Sequence, residues 1–139
     1  MFDLVKATKE DGPAIINLLQ DVDSYYSELK LENFWLFKAA SQLVAVIQLN
    51  PYPDFVFLSS LAVTPKNQHQ KIASQLLAAV LKNTIQDIYL YTIIPDFFKK
   101  LGWQIIDQPK VKLPGKEPYE CHACQPQKCV TIVKYASPT

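Results

Sequence analysis

The sequence predicts a single α/β domain in which a mixed sheet of about seven strands is flanked by helices. The chain has 139 residues, of which 49% are hydrophobic, and this is enough to bury one core but not two. Segments with strand-like apolar patterns are interleaved with segments of helical spacing. Such interleaving is typical of a sheet packed against helices, so we expect one domain over residues 1–139.

The N-terminal half is predicted to hold one strand, one helix and three further strands. Residues 2–7 alternate apolar and polar side chains and predict the first strand. Thr8 or Asp11 is suited to cap the helix that follows to about residue 23, with Pro13 in its first turn. Three runs rich in β-branched and aromatic residues then predict strands at residues 34–39, 43–49 and 55–63. The first two of these strands form an antiparallel hairpin.

The C-terminal half is predicted to alternate helices and strands. Five apolar residues share one face of the second helix: Ile72, Leu76, Leu77, Val80 and Leu81. Residues 85–92 predict a strand that follows this helix and is therefore parallel to the strand before it. A short helix at residues 95–102 is bounded by a proline and a glycine. Residues 103–106 and 130–135 predict the last two strands.

Charge and targeting signals argue against several classes of function. Fourteen Lys and Arg against thirteen Asp and Glu leave a net charge of +1, which is too small a field to hold nucleic acid or an anionic membrane. The apolar runs fall short of the ~20 residues of a membrane-spanning helix, and residues 1–6 lack signal-peptide features. We therefore expect a cytoplasmic protein with no nucleic-acid or membrane partner, and the choice between monomer and homodimer stays open.

Three cysteines, Cys121, Cys124 and Cys129, lie within nine residues near the C-terminus. An odd, clustered set does not match a disulfide scaffold, so we interpret them as reduced thiols. With His122 they could supply four zinc ligands, and a metal-binding interaction module is a rival function. Structural zinc sites usually pair two separated groups of ligands, whereas His122 sits between the first two cysteines. We therefore expect no metal site.

Residues 61–77 read LAVTPKNQHQKIASQLL, a strand ending in Val-Thr-Pro, then a polar loop and a helix start. This stretch resembles the acetyl-CoA-binding motif of the GNAT (Gcn5-related) N-acetyltransferase superfamily. Residues 97–103, FFKKLGW, look like a second segment of that family, and the order of elements is similar along nearly the whole chain. The resemblance implies a GNAT-type sheet with acetyl-CoA as co-substrate.

The resemblance places the pyrophosphate of acetyl-CoA on residues 68–74, where a helix N-terminus offers free N–H groups. It places the pantetheine arm in a gap between the strand edges at residues 61–63 and 90–92, with the N–H of Val63 polarising the thioester oxygen. Lys66 adds positive charge near the phosphates. The implied cofactor-binding residues are Leu61, Ala62, Val63, Gln68, His69, Gln70, Lys71, Ile72, Ala73, Ser74, Thr92 and Phe98.

Two departures from the family pattern lie in the phosphate loop. His69 and Lys71 stand where the family usually has glycine, the residue favoured where backbone approaches a ligand or adopts positive φ. If their side chains point outward, binding survives. If a turn position needs positive φ, affinity should fall.

Two further departures concern proton transfer. Phe98 stands where many members have a tyrosine that protonates the departing thiolate, and Ser59 and Ser60 occupy the region of the usual glutamate base. Tyr89 and Tyr91 are candidates to replace the acid. We therefore assign no general acid or base from the sequence.

The functional expectation is transfer of an acetyl group from acetyl-CoA to a primary amine of a small molecule or peptide. The alternative is a catalytically weak or silent protein of the same fold that binds acyl-CoA as a sensor or regulatory partner. Neither the acceptor nor the preferred acyl chain follows from the sequence.

Overall fold

The computed structural model describes residues 2–22, 29–82, 84–115 and 129–136. Three α-helices occur in this part of the chain: Gly12–Asp21 (α1), Ile72–Leu81 (α2) and Pro95–Lys99 (α3). The strands are Asp3–Lys6 (β1), Phe34–Ala39 (β2), Gln42–Pro51 (β3), Val56–Val63 (β4), Ile88–Thr92 (β5), Gln104–Ile106 (β6) and Val130–Lys134 (β7). Among the described helices, none is long and apolar enough to cross a membrane.

The strands form one seven-stranded sheet in the order β1-β2-β3-β4-β5-β7-β6. The sheet is mixed, since β4 and β5 are parallel and the other neighbours are antiparallel. The predicted fold class and the parallel crossover through α2 are therefore confirmed. The last strand, β7, inserts between β5 and β6 and leaves β6 at the edge.

The two faces of the sheet are buried differently. On the α2 face, a single large cluster joins the helix residues Ile72, Leu76 and Leu77 to the sheet. On the α1 face, the apolar residues form two clusters: one packs α1 against Val46 and Ala62, and the other surrounds Phe57 and Tyr89. The core is thus interrupted on the α1 face, over β3 and β4.

The carboxylate of Asp11, just before α1, pairs with a lysine of β2. A short 3₁₀ turn, Lys9–Asp11, precedes α1, and Asp11 accepts hydrogen bonds from the N–H (2.8 Å) and hydroxyl (3.1 Å) of Thr8. Lys38 of β2 donates to the other carboxylate oxygen at 2.8 Å. The hydrogen bond from Lys38 is the largest cause that lowers the pKa of Asp11, and the bonds from Thr8 lower it further. Thr8 and Asp11 therefore form a capping box around the 3₁₀ turn, and Asp11 makes no side-chain bond to an N–H group of α1 itself.

We expect Asp11→Asn to lower the free energy of unfolding by about 1 kcal/mol at pH 7. Because the folded-state pKa lies below the unfolded value of about 3.9, this stabilisation is complete above that value and is lost as the pH falls through the folded-state pKa. Urea unfolding at pH 7 and pH 3 should therefore show a smaller difference between variant and parent at pH 3. Asp107→Asn, at an exposed position, is the control, and an equal difference at both pH values would contradict the prediction.

Candidate functional site

Strands β4 and β5 separate soon after they begin to pair. Their register contains two pairs, Val56↔Ile88 and Phe57↔Tyr89, although β4 continues to Val63 and β5 to Thr92. On its other side, β5 pairs with β7 along its full length. A wedge-shaped gap therefore opens between the two parallel strands, with unpaired edges at the positions predicted from the sequence.

The hydrogen-bond phase of the β3–β4 ladder decides which backbone groups face this gap. The N–H of Thr64 donates to the carbonyl of Val44 at 2.9 Å, and Val63 lies opposite Ala45. Because successive residues of a strand direct their polar groups to opposite sides, the N–H groups of Val63 and Leu61 point toward the gap. The backbone of Ala62 joins the β3 ladder instead.

Gln68 confirms this orientation from the loop that follows β4. Its Nε2 donates to the carbonyl of Val63 at 3.1 Å, so that carbonyl also points away from β3. The residue itself is exposed. Its side chain lies at the mouth of the gap and connects the loop to the strand edge.

The loop between β4 and α2 contains two residues in the left-handed region. His69 has φ +64° and Lys71 has φ +61°, at the two positions where the sequence lacks the expected glycines. Both side chains are exposed, so they leave the backbone accessible. The two side chains therefore point outward, and the turn also requires positive φ at both positions. A backbone that alternates into the left-handed region turns N–H groups to a common side and favours anions.

The first turn of α2 adds further donors to the loop. Gln75 makes the first intrahelical bond, to the carbonyl of Lys71 at 3.1 Å, which leaves the N–H groups of Ile72, Ala73 and Ser74 without an intrahelical acceptor. Ile72 is buried and anchors the turn in the core, whereas Ala73 and Ser74 are half-buried. The positive end of the helix dipole lies behind the same N–H groups.

Two predicted site residues have clear packing roles. Thr92 is buried at the end of β5, where its Oγ1 accepts the N–H of Ile94 at 3.0 Å. Phe98 is 5% exposed and packs edge-on against Phe97 and Trp103. Phe97 is half-buried and packs against the core cluster on the α2 face. Contact between the cofactor and Thr92 or Phe98 stays a prediction.

The two tyrosines of β5 share the α1 face, as the alternation predicts. Tyr89 is 1% exposed, and burial, followed by the charge of Asp87, raises its pKa. Tyr91 donates its hydroxyl hydrogen bond to the carbonyl of Pro114, which ties the segment after β6 to the sheet. Neither position assigns a general acid.

A group of uncharged polar side chains, which the sequence reasoning missed, fills the interruption on the α1 face. Where a carboxylate base was sought, β4 carries a bulge: Gln48 lies opposite Ser60 and Leu49 opposite Leu58, which leaves Ser59 as the extra residue. Around it are Asn33, Gln48, Asn50, Ser59 and Ser60, which we call the neutral cluster. In the sequence, the polar side chain of Gln48 within the otherwise apolar run of β3 indicates this cluster.

Of the cysteine segment, only Cys129 lies within the described residues. Cys121, His122 and Cys124 lie outside the described residues, and Cys129 is half-buried just before β7. Within the described residues, no group of three or more potential metal ligands occurs. The expectation that the thiols hold no metal stays untested.

A family profile, described as the acetyltransferase (GNAT) domain, matches residues 30–105, more than half of the chain. This chain belongs to the GNAT acetyltransferase family. The matched region runs from the entry to β2 through β6, so it contains the gap, the loop and the bulge. No curated protein sequence matched the chain significantly.

Solved structures share the GNAT fold at low sequence identity. N-acetylglutamate synthase from Neisseria gonorrhoeae, complexed with coenzyme A and N-acetyl-glutamate, is 17% identical with a TM-score of 0.77. The likeness covers 99% of this chain but only 36% of the synthase. PaiA N-acetyltransferase from Thermoplasma acidophilum, in complex with coenzyme A, is 18% identical with a TM-score of 0.68, covering 97% of this chain and 99% of that one.

A third structure is the ribosomal-protein-S18-alanine N-acetyltransferase from Escherichia coli. It is 14% identical with a TM-score of 0.71, and the likeness covers 100% of this chain and 96% of that one. These structures confirm that the seven-stranded sheet is of the GNAT type.

The left-handed conformation of Lys71 should be measurable as strain. We expect Lys71→Gly to be about 1 kcal/mol more stable than Lys71→Ala, because both remove the charge but only glycine adopts positive φ at little cost. Chemical unfolding of the two variants measures this difference. Lys66 is exposed in the same loop and is not among the residues with positive φ, so there the order should reverse, with alanine the more stable by about 0.5–1 kcal/mol. The same order at both positions would contradict the assignment.

Proposed function

We propose that this GNAT protein is an N-acetyltransferase that moves the acetyl group of acetyl-CoA to a primary amine of a small molecule or peptide. The observation that carries the proposal is the early separation of β4 from β5, which leaves the N–H groups of Leu61 and Val63 and the carbonyl of Leu61 facing the gap with no partner strand. A fold normally pairs such groups. An extended ligand with its own amide groups, such as pantetheine, satisfies them.

The loop after β4 fits the other end of the same ligand. The left-handed residues His69 and Lys71 and the first turn of α2 present N–H groups beside a helix N-terminus, the usual arrangement for binding a phosphate. Coenzyme A bound in two of the related structures supports this placement. Bound acetyl-CoA supplies an activated acetyl group, and the protein positions it.

The chemistry of this chain then rests on orientation and backbone polarity. The N–H of Val63, or that of Leu61 two residues deeper in the gap, donates to the thioester oxygen as negative charge develops there. Holding the amine beside the thioester lowers the barrier further. Phe98 has no proton to give the leaving thiolate, so the thiolate receives its proton from solvent or from the amine.

A non-catalytic sensor is the second candidate. The phenyl ring of Phe98 and the uncharged side chains at the bulge favour it, because neither assists proton transfer. A sensor binds acetyl-CoA through the same gap and loop. Turnover separates the two functions, since only a transferase consumes acetyl-CoA in the presence of an amine.

Calorimetric titration with acetyl-CoA tests the shared binding site. We expect micromolar affinity, near −8 kcal/mol, that weakens with salt because the phosphates contribute. Lys71→Glu should weaken binding about fivefold. Lys82→Glu makes the same charge change at the far end of α2, about 15 Å away, and should leave affinity nearly unchanged.

The outcomes distinguish the candidates. Binding together with acetylated amine supports the transferase, whereas binding without turnover across a panel of amines supports the sensor. Absence of binding at millimolar acetyl-CoA would refute both. Equal effects of the two lysine substitutions would show that the phosphates lie elsewhere.

A further inference from the structure

The neutral cluster is built as a connected set around Asn50. Its Oδ1 accepts from Asn33 Nδ2 at 2.7 Å and from Gln48 Nε2 at 2.9 Å. Its Nδ2 donates to the hydroxyl of Ser59 at 2.7 Å. Gln48 is buried, whereas Asn33, Asn50 and Ser59 are half-buried, so the cluster has a rigid base and an accessible side.

Ser60 adds a group that the described fold does not use. It lies opposite Gln48 in the ladder and shares its face of the sheet. It is 5% exposed, and its Oγ has no hydrogen-bond partner among the described residues. Burying a hydroxyl without a partner is unfavourable, so such a group calls for an explanation. A ligand group bound at the cluster provides one.

The cluster borders the inner end of the gap between β4 and β5. The last pair of those strands is Phe57↔Tyr89, and Ser59 and Ser60 follow within three residues on β4. The gap-facing N–H of Leu61 is adjacent to Ser60 in the chain. An acceptor held by the cluster therefore lies next to the inner part of the gap, opposite the end where the phosphate loop begins.

The chemistry of the cluster selects the kind of acceptor. All five side chains are uncharged amides or hydroxyls, and they form hydrogen bonds of the kind a peptide group makes. A carboxylate or ammonium bound by these five side chains would lose hydration without gaining an opposite charge from them. In addition, all fourteen basic residues of the sequence are lysines, so no guanidinium is present to grip a free carboxylate with two parallel hydrogen bonds.

The uncharged cluster also bears on the amine itself. Only a neutral amine attacks a thioester, and at pH 8 about half of an α-amino group is neutral, compared with about 0.4% of a lysine ε-amine. The acceptor must therefore bring an uncharged group to the cluster and must have an amine that is largely neutral. An α-amine next to a neutral amide meets both requirements. A free amino acid brings a carboxylate, and a lysine side chain has an amine that is almost entirely charged.

We propose that the neutral cluster is the acceptor subsite and that it binds an α-amine carrying an amide, as at the N-terminus of a peptide. This inference rests on the transferase function proposed above. Asn50 and Ser59 hold the amide of the acceptor, and the Ser60 hydroxyl takes part in the same hydrogen-bonded set. Asn33 and Gln48 fix the orientation of Asn50.

Initial rates of acetyl transfer at pH 8 test the preference with three acceptors: L-alaninamide, L-alanine and Nα-acetyl-L-lysinamide. We expect kcat/KM for alaninamide to exceed each of the others by at least about tenfold. Acetyl-lysinamide keeps a neutral amide and offers only an ε-amine, so it tests the kind of amine. Alanine replaces the amide with a carboxylate, which also raises the pKa of its α-amine, so its rate is compared per neutral amine.

Two substitutions connect the preference to the cluster. Ser60→Ala should raise KM for alaninamide about three- to tenfold, with KM for acetyl-CoA and the melting temperature unchanged, because the hydroxyl makes no bond within the described fold. Asn50→Asp keeps the shape and adds a negative charge, so it should shift the preference toward acetyl-lysinamide. Asn17→Ala, on the exposed side of α1, is the control and should change neither parameter.

Failure of this inference can be told from failure of the proposed function. Acetylation of all three acceptors at similar rates, or a Ser60→Ala variant with unchanged KM, would overturn the acceptor subsite while leaving the transferase intact. Acetyl-CoA binding without acetylation of any amine would overturn the transferase and the subsite together. A preference for alaninamide that both variants reduce would support the subsite.

Discussion

Hydrogen bonding between β4 and β5 stops after two residue pairs, and the candidate site depends on this break in the sheet. Two neighbouring features account for the break. The bulge at Ser59 bends β4 and increases its twist just beyond the last pair. On the other side, β7 pairs with β5 along its whole length and holds it in the direction of the second half of the sheet. The open edge is therefore stabilised from both sides and does not require a ligand to form.

The loop after β4 holds two left-handed residues, neither of which is glycine. Each non-glycine residue in that region costs about 1–2 kcal/mol. The conformations of His69 and Lys71 therefore lower the free energy of unfolding by an amount that is considerable for a small domain. Ile72 in the core and the Gln68 bond to Val63 fix the two ends of the loop. Strain kept in place by surrounding contacts is typical of functional positions.

The neutral cluster and the divided core have a common explanation. A continuous apolar core covers the α2 face, whereas on the α1 face polar residues separate the α1 cluster from the cluster around Tyr89. Filling this position with apolar side chains would add stability, and the fold instead places amides and hydroxyls there. A domain of this size gives up such burial where a surface must bind something polar. The same bulge lies beside the last β4–β5 pair and brings Ser59 to Asn50, so the gap and the neutral cluster depend on one backbone irregularity.

The sequence by itself determined the elements whose patterns are local. The alternation in β1, the apolar face of α2 and the proline after β4 predicted the strands, the helix and the parallel crossover, because periodicity and proline chemistry act over a few residues. The motif around residues 61–77 also located the loop and the strand edges. Only the tertiary structure decided three other features: the insertion of β7 between β5 and β6, the positive φ of His69 and Lys71, and the assembly of the neutral cluster. The insertion of β7 and the neutral cluster depend on contacts between separate segments, and the positive φ of His69 and Lys71 is a backbone conformation that apolar periodicity does not encode. Asn33 and Asn50 meet across 17 positions and Asn50 and Ser59 across 9, through a register shift that no local pattern encodes.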